Sequence, residues 1–256
     1  MKFTGARALT KSSEVSSIPD LVLWLETTSE KSFSTDRPED GTIIAQWNDI
    51  NPQMIESRKY PAINSNSGKQ PIYTATAINN LPALRFDGVD DYLAVADGFD
   101  NDTENATMFF VWQFNGSGTS EMDLLEKWEG SGGYPYVLRS SSGYYMHAYD
   151  GSVVPGPGSV TARKTGVPVI IAARRNKNSV MNLWINGSKE GGDVTDTTSG
   201  STANNGRLCI CSRLTSNINY CNGDIGEVII FARAISDDEK KVVEKYLGKK
   251  WGIRVN

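Results

Sequence analysis

Asn-Gly and Asp-Gly pairs recur along the chain, and they separate short apolar segments that are rich in β-branched and aromatic residues. Both dipeptides tolerate the positive φ angles that tight hairpin turns require. The pairs include Asp87-Gly88, Asp97-Gly98, Asn115-Gly116, Asp150-Gly151, Asn186-Gly187, Asn205-Gly206 and Asn222-Gly223. Roughly a dozen short strands at such a spacing predict an all-β sandwich or barrel, and they disfavour a parallel α/β fold, in which strands and helices alternate.

The C-terminal segment carries a strong helical signal. Ser236 and Glu239 match the pattern of a capping box, in which each side chain bonds to the backbone N–H of the other residue. Gly248 is the expected end of the helix, because glycine readily adopts the left-handed conformation that terminates helices. The apolar stripe that would face the sandwich consists of Val242, Val243, Tyr246 and Leu247. This pattern predicts one α-helix packed on the sandwich.

The size and composition favour one large domain. The chain has 256 residues, of which 39% are hydrophobic, and this is enough for a sizeable core. We expect residues 18–256 to form the sandwich and residues 1–17 to form an arm or linker outside it. The sequence contains no stretch that reads as a transmembrane helix or a secretory signal. The net charge of −4 argues against a nucleic-acid partner, since phosphate binding needs a basic surface.

Three cysteines, Cys209, Cys211 and Cys221, lie close together in the sequence. An odd number at this spacing does not indicate a disulfide framework. The favoured interpretation is that all three are small, partly buried residues. The alternative is one bridge from Cys221 to Cys211 or Cys209 across a hairpin, which would suit an exported protein. A metal site is disfavoured because the segment supplies no fourth ligand.

Residues 86–93 read Phe-Asp-Gly-Val-Asp-Asp-Tyr-Leu. They resemble the Phe-Asp-Gly-x-Asp-Asp-Tyr-Leu motif of bacterial laminin-G-like domains, which belong to the concanavalin A-like lectin and glucanase superfamily. Further segments resemble this family in the same order, at residues 21–25, 47–49, 81–85, 124–128, 183–187, 222–228 and 246–252. The resemblance covers nearly the whole chain. It implies a jelly-roll sandwich of two antiparallel sheets in a protein that is exported or displayed on a surface.

The segment Glu121-Met-Asp123-Leu-Leu-Glu126 resembles the active strand of β-glucanases in the same superfamily, which reads Glu-x-Asp-x-x-Glu. Alternation along a strand places Glu121 and Asp123 on one face, and a β-bulge would return Glu126 to that face. By resemblance, Glu121 is the nucleophile, Glu126 is the acid/base and Asp123 tunes both. The alternative, which the turn-like segment before it favours, is an ordinary strand flanked by solvated acidic residues.

Asp87, Asp90 and Asp91 lie within one predicted turn. Calcium prefers carboxylate and carbonyl oxygens, so Asp90 and Asp91 are candidate ligands for Ca²⁺, the one cofactor that the sequence suggests. Asp-Gly and Asp-Asp pairs also form turns through hydrogen bonds between side chain and backbone, without any metal. The sequence favours this second, structural interpretation.

The aromatic residues fall into two groups. The group predicted to lie in the core, because its members fall within strand or helix patterns, is Trp24, Trp47, Trp112, Trp184 and Trp251. The second group is denser, lies near Gly/Ser-rich loops and consists of Trp128, Tyr134, Tyr136, Tyr145, His147 and Tyr149. Alternation places Tyr145, His147 and Tyr149 on one face of a strand. An aromatic face beside polar side chains is a candidate platform for a sugar.

Together these patterns predict a non-catalytic recognition or display module that binds a glycan or mediates adhesion on a pilus, a cell surface or a virion. The family resemblance implies the extracellular or surface-displayed location. A glycoside hydrolase that uses Glu121 and Glu126 is the rival hypothesis. A structural subunit that assembles through residues 1–17 and coats a filament or shell is the third.

Overall fold

The computed structural model describes residues 12–34, 37–97, 104–128, 130, 132–214 and 216–256. Its strands, in chain order, are β1 Leu21–Glu26, β2 Gln46–Trp47, β3 Ala62–Ile63, β4 Ile72–Ile78, β5 Leu81–Asp87, β6 Leu93–Val95, β7 Ala106–Phe114, β8 Met122–Lys127, β9 Tyr134–Ser140, β10 Tyr144–Tyr149, β11 Pro168–Arg175, β12 Val180–Ile185, β13 Ser188–Thr195, β14 Leu208–Ile210 and β15 Asn222–Phe231. The α-helices are α1 Ser12–Val15 and α2 Asp237–Trp251, and short 3₁₀ turns occur at Glu30–Ser32, Glu56–Arg58 and Ser67–Lys69.

The strands form two antiparallel sheets that pack face to face. In the back sheet the order is β13-β12-β11-β7-β15-β5-β4, and β1 also pairs with β15. In the front sheet the order is β10-β9-β8-β14-β6-β3-β2. Several neighbouring strands are distant in sequence, among them β7 with β15 and β8 with β14, as a jelly roll requires. This architecture confirms the prediction of a concanavalin A-like jelly-roll β-sandwich with one C-terminal α-helix.

Two apolar layers hold the sandwich together. The first lies between the sheets and contains Trp47 and Trp112, both of which are fully buried. The second lies between the back sheet and α2 and contains Trp24, Trp184 and Trp251. All five tryptophans that the sequence assigned to the core are therefore buried. The chain makes a three-layer stack of front sheet, back sheet and helix, which leaves the other face of the front sheet uncovered by any helix of the described residues.

Helix α2 begins as the sequence predicts and ends one turn later. Ser236 and Glu239 form both bonds of the capping box. Gly248 lies inside the helix, and the terminating residue is Gly252, whose φ angle is +64°. The prediction that Gly248 ends the helix was wrong because this glycine serves packing. A Cβ atom at position 248 would lie 2.6 Å from a methyl group of Val255, so only glycine lets the C-terminal tail approach.

Part of the predicted N-terminal arm belongs to the packed body. Residues 12–15 form α1, and Val15 is fully buried in the layer beneath α2. Residues 12–17 are therefore not a free arm, because burying Val15 removes its apolar surface from water. Residues 1–11 of the predicted arm lie outside the described residues.

A buried charged group, which we call the helix-base cluster, joins α2 to the back sheet. It consists of Glu26, Glu227 and Lys250 together with the indoles of Trp24 and Trp251. Trp24 Nε1 donates to Glu227 Oε1 at 2.7 Å, and Trp251 Nε1 donates to Glu227 Oε2 at 2.8 Å. Lys250 Nζ lies 2.8 Å from Glu227 Oε2 and also donates to Glu26. Burial raises the pKa of Glu227, and Lys250 opposes this shift.

Cys209, Cys211 and Cys221 are all free and buried, as the favoured interpretation of the sequence predicts. The alternative bridge from Cys221 is not formed. Burial raises the pKa of the Cys209 thiol to about 12, so this thiol is unreactive at neutral pH. Within the described residues, no helix combines the length and the apolar character needed to cross a membrane.

Candidate ligand-binding face

The front sheet has one face in the core and one face outward, and side-chain alternation decides which residues reach each face. In β10, Tyr144 and Met146 point into the core. Tyr145, His147 and Tyr149 alternate with them and are only half-buried. The three residues that the sequence placed on one face of a strand therefore lie together on the outward face.

In β8 a register shift changes the alternation between Asp123 and Leu125. Leu124 and Leu125 consequently both enter the core, whereas Asp123 and Glu126 both face outward. This irregularity has the effect that the sequence analysis required of a bulge. Without it, Asp123 and Glu126 would lie on opposite faces of the sheet.

A row of paired residues crosses the outward face from one edge of the sheet toward the other. Each residue is the register partner of the next, and the row runs His147, Val137, Glu126, Cys209, Ala94 and Ile63. The β8–β10 half of this face carries aromatic and charged side chains. The β3–β6 half carries small and aliphatic ones. The face is thus chemically asymmetric along the row.

The charged group on the β8–β10 half, which we call the outer-face cluster, consists of Glu121, Asp123, Glu126, Arg139, Arg213 and Asn219. Arg213 Nε lies 3.1 Å from Asp123 Oδ2 and 3.1 Å from Glu126 Oε1, so one guanidinium bridges two carboxylates. Arg139 Nε donates to Asp123 Oδ1 at 2.7 Å. Asp123 and Glu126 are 0% and 1% exposed, so these ion pairs are shielded from solvent on the acidic side.

Glu121 occupies the outer rim of the cluster and is exposed. Asn219 Nδ2 donates to Glu121 Oε1 at 2.9 Å and to Asp123 Oδ2 at 3.2 Å. Arg213 Nη2 is 3.9 Å from Glu121 Oε1. The three carboxylates of the glucanase-like segment therefore converge, but Arg213 and Asn219 occupy the space between them.

Burial dominates the titration of the cluster. Burial is the largest cause that raises the pKa of Glu126 to about 8, Asp123 contributes to the rise, and Arg213 opposes it. Burial likewise raises the pKa of Asp123 to about 6, again opposed by Arg213. Burial lowers the pKa of His147, and Glu121 opposes this shift. At neutral pH the face therefore presents a neutral imidazole beside carboxyl groups held by Arg213, and together they supply both donors and acceptors of hydrogen bonds.

Aromatic rings border the cluster. The ring centroids of Trp128 and Tyr134 are 5.9 Å apart, and those of Tyr134 and Tyr149 are 5.5 Å apart. The guanidinium carbon of Arg213 lies 5.9 Å from the centre of the Trp128 ring. Trp128 and Tyr149 are half-buried, so each ring keeps some surface for a ligand. A second pair, formed by Tyr145 and His147, has its centroids 6.2 Å apart.

Tyr136 does not belong to this face. It lies in β9 two residues after Tyr134, yet its side chain is 6% exposed and packs in the core between the sheets. Its inclusion among the candidate ligand-binding residues was wrong. Strand alternation predicts that Tyr134 and Tyr136 share a face, but an irregular register at the start of β9, where Tyr149 pairs with Tyr134, separates them.

Three buried polar atoms around the cluster lack a hydrogen-bond partner among the described residues. They are Trp128 Nε1, His147 Nδ1 and Arg213 Nη2. A buried donor without a partner costs about 1–3 kcal/mol, so native proteins rarely leave several side by side. Here all three lie on the outward face, among half-buried rings.

Sequence reasoning missed Arg139, Arg213 and Asn219. Arg139 was accessible to it, because Arg139 follows the core residue Leu138 in β9 and alternation directs it outward. Arg213 and Asn219 lie in the connection between β14 and β15, which folds across the face. No local sequence pattern predicts this placement, because the connection is positioned by contacts with residues that are distant in sequence.

The predicted calcium site lies at the turn after β5. The carboxylate oxygens of Asp87, Asp90 and Asp91 all lie within 4.8 Å of one another. Asp87 Oδ1 accepts the backbone N–H of Val89 at 2.8 Å and of Asp90 at 3.3 Å, while Asp91 Oδ2 accepts the N–H of Asp87 at 3.2 Å. Burial and the proximity of Asp87 raise the pKa of Asp91 to about 6. The carboxylates of the turn thus accept hydrogen bonds from its own backbone. Their oxygens are also the type of ligand that a hard cation prefers.

No protein-family model matches the sequence, and no match was found among curated proteins. Several solved structures share the sandwich. Trypanosoma rangeli sialidase in complex with sialic acid matches with a TM-score of 0.62 and 12% identity over 93% of this chain. The receptor binding domain of botulinum neurotoxin D matches with a TM-score of 0.58 and 12% identity over 90% of it.

A third similar structure is Domain 4 of AbnA, a GH43 extracellular arabinanase from Geobacillus stearothermophilus, in complex with arabinotriose. It matches with a TM-score of 0.55 and 15% identity, and the match covers 86% of this chain and 96% of that domain. The chain spans only 34% of the sialidase and 53% of the toxin domain. At these identities the likeness establishes the fold.

Proposed function

We propose that this chain is a non-catalytic recognition module that binds a glycan on the outward face of the front sheet. The contact residues are Trp128, Tyr145, His147 and Tyr149, and Tyr134, which is 8% exposed, packs between the rings of Trp128 and Tyr149. The observation that carries this proposal is the combination of half-buried rings with the outer-face cluster and its three unpartnered polar atoms. Aromatic rings pack against the apolar faces of sugars, and fixed charged and amide groups bond to the hydroxyls around them.

The similar structures support this proposal in general terms. One was solved with sialic acid and another with arabinotriose, so sandwiches of this shape occur in proteins that engage sugars. On this chain the outward face is the candidate region, because the other large sheet surface is covered by α2. The extracellular or surface-displayed setting, with adhesion on a pilus, cell surface or virion, is part of the same proposal and rests on the family resemblance.

A glycan array followed by calorimetry tests the proposal, with and without Ca²⁺. We expect Trp128→Ala and Tyr149→Ala to weaken glycan binding about tenfold or more, because each removes a contact ring of about 1.4 kcal/mol or greater. Tyr144→Phe is the matched control, since this neighbouring tyrosine points into the core. Binding that survives both alanine substitutions would contradict the location of the site.

The hydrolase alternative predicts turnover of a β-glucan that is lost in Glu121→Gln and Glu126→Gln. The ion pairs of Arg213 with Asp123 and Glu126 disfavour it, because they occupy the carboxylates that would act on a sugar. The structural-subunit alternative predicts symmetric assembly that is lost when residues 1–17 are deleted. Reducing-sugar release and light scattering on the same samples separate these outcomes from binding without turnover.

A further inference from the structure

A second feature of the outward face is a pocket of about 310 Å³ on its β3–β6 half. Its lining comes from residues 59–65, from residues 92–96 and from Arg207. Ile63 and Ala94 belong to the register row that also contains Glu126, so the pocket and the outer-face cluster share one surface. Sequence reasoning did not single out this region, because its residues come from three separate segments.

The pocket is basic, although the chain as a whole carries a net charge of −4. Lys59 and Arg207 line it, and no acidic side chain lines it within the described residues. Arg207 is exposed, and its guanidinium forms no hydrogen bond or ion pair with the part of the chain that the structure describes. A guanidinium in this state offers a two-pronged donor that matches a carboxylate.

Lys59 has Glu56 as its ion-pair partner and the buried Asp49 as a second acidic neighbour, and Glu56 is the partner that a ligand can replace. Its Nζ atom lies 2.5 Å from Glu56 Oε1, but the side chain of Glu56 is 89% exposed while that of Lys59 is only 15% exposed. Exposed ion pairs of this kind contribute little stability, so exchanging Glu56 for a bound anion costs little. The ammonium group is therefore held at the edge of the pocket, where a bound anion can compete with Glu56 for it.

The shape of the pocket suits one sugar ring. Ala94, Ala96 and Ser65 are small and leave the space open, while Tyr60 and Tyr92 supply aromatic surface. A volume of about 310 Å³ lies at the lower end of the range for small-molecule sites, which fits a single monosaccharide unit. The pocket thus combines a ring-sized space with cationic groups at its edge.

The two halves of the face have opposite character. Cys209 alone separates Glu126 from Ala94 along the register row, and two strand spacings correspond to about 10 Å. A short oligosaccharide can span that distance. Arg139 and Arg213 of the outer-face cluster are already paired with carboxylates, so a negatively charged unit is attracted more strongly to Arg207 and Lys59.

We propose that this pocket binds a sugar unit that carries a carboxylate, with Arg207 and Lys59 as the groups that recognise the acid. The inference rests on the proposed function, since the acidic unit would belong to the same glycan that contacts the aromatic residues. It names a ligand class, acidic glycans, and an orientation, with the acidic unit over β3 and β6.

The test is an NMR titration of the full chain with methyl β-D-glucuronide and with methyl β-D-glucoside, which differ in the carboxylate. We expect the glucuronide to shift pocket resonances with an affinity about tenfold above that of the glucoside. Arg207→Gln should remove this preference, and added salt should weaken it. Arg58→Gln is the matched control, because Arg58 is exposed and lies outside the pocket lining.

Equal affinities for the two glycosides, no shifts with either, or an unchanged preference in Arg207→Gln would each overturn the inference. Trp128→Ala distinguishes this result from failure of the proposed function. It should abolish binding of neutral oligosaccharides at the aromatic site and leave the glucuronide titration unchanged within about twofold. The titration with the two monosaccharides therefore tests the pocket proposal even if the glycan array identifies no ligand for the aromatic site.

Discussion

The helix-base cluster and the outer-face cluster are built from the same ingredients, namely carboxylates paired with a cation and bordered by tryptophan. In the helix-base cluster, both oxygens of Glu227 have donors, and Lys250 contacts two carboxylates. In the outer-face cluster, Arg213 Nη2 lacks a hydrogen-bond partner within the described residues, and so does the neighbouring Trp128 Nε1. The first cluster is satisfied and sealed, whereas the second is incomplete.

This difference distinguishes buried polar groups that stabilise the fold from buried polar groups that can bind a ligand. A buried ion pair survives in a fold when hydrogen bonds satisfy its remaining atoms, as the indoles do for Glu227. A cluster that has unpaired hydrogen-bond donors beside half-buried rings can still form hydrogen bonds with a ligand. We therefore expect substitutions in the helix-base cluster to act on stability, and substitutions in the outer-face cluster to act on binding and on the pH dependence of stability.

The largest expected effect is that of Lys250→Ala. It leaves the carboxylates of Glu26 and Glu227 buried without their cation, and breaking a buried pair in this way costs about 3–5 kcal/mol. Urea denaturation measures the loss. Lys245→Ala is the control, because Lys245 lies on the exposed side of the same helix. A loss equal to that of the control would show that the helix-base cluster does not anchor α2.

Arg213→Ala should have a smaller effect on stability, of about 1.5–3 kcal/mol, the range for hydrogen bonds to charged groups. Asp123 and Glu126 can accept protons when the guanidinium is removed, which limits the cost. The same variant should lose glycan binding, unlike Lys250→Ala measured where it remains folded. If Arg213→Ala destabilises as strongly as Lys250→Ala, the contrast between the two clusters fails.

A pH series sharpens the contrast further. Because the folded-state pKa of Glu126 is raised from 4.5 to about 8, this group contributes stability that is present below the lower value and is lost as the pH rises through the upper one. We expect Glu126→Gln to lose less stability than the parent chain between about pH 5 and about pH 9. Thermal unfolding across that range checks this, and parallel curves would refute it.

The smallest effect is expected from calcium. The carboxylates of Asp87 and Asp91 already accept backbone N–H groups, so millimolar Ca²⁺ should stabilise the chain by less than about 1 kcal/mol. Melting temperatures measured with Ca²⁺ and with a chelator give the answer. A larger shift that disappears in Asp90→Asn and Asp91→Asn would instead establish a calcium site at this turn.

Local patterns predicted much of what is observed. The capping box at Ser236 formed because both of its bonds are local to one turn. Tyr145, His147 and Tyr149 share a face because alternation holds throughout β10. The same alternation failed to predict the orientation of Tyr136, because the register is irregular at the start of β9. Gly248 was wrongly predicted to end the helix, because its role depends on a contact with Val255 in the C-terminal tail.

The amino-acid sequence by itself determined the strands, the turns and the capped helix, because these depend on backbone preferences and on neighbours a few residues away. Only the tertiary structure decided that Arg213 and Asn219 lie between three carboxylates, and that Arg207 and Lys59 flank one pocket. The physical reason is that both arrangements bring together segments far apart in the chain. Their geometry follows from sheet register and core packing, which no short window of sequence contains.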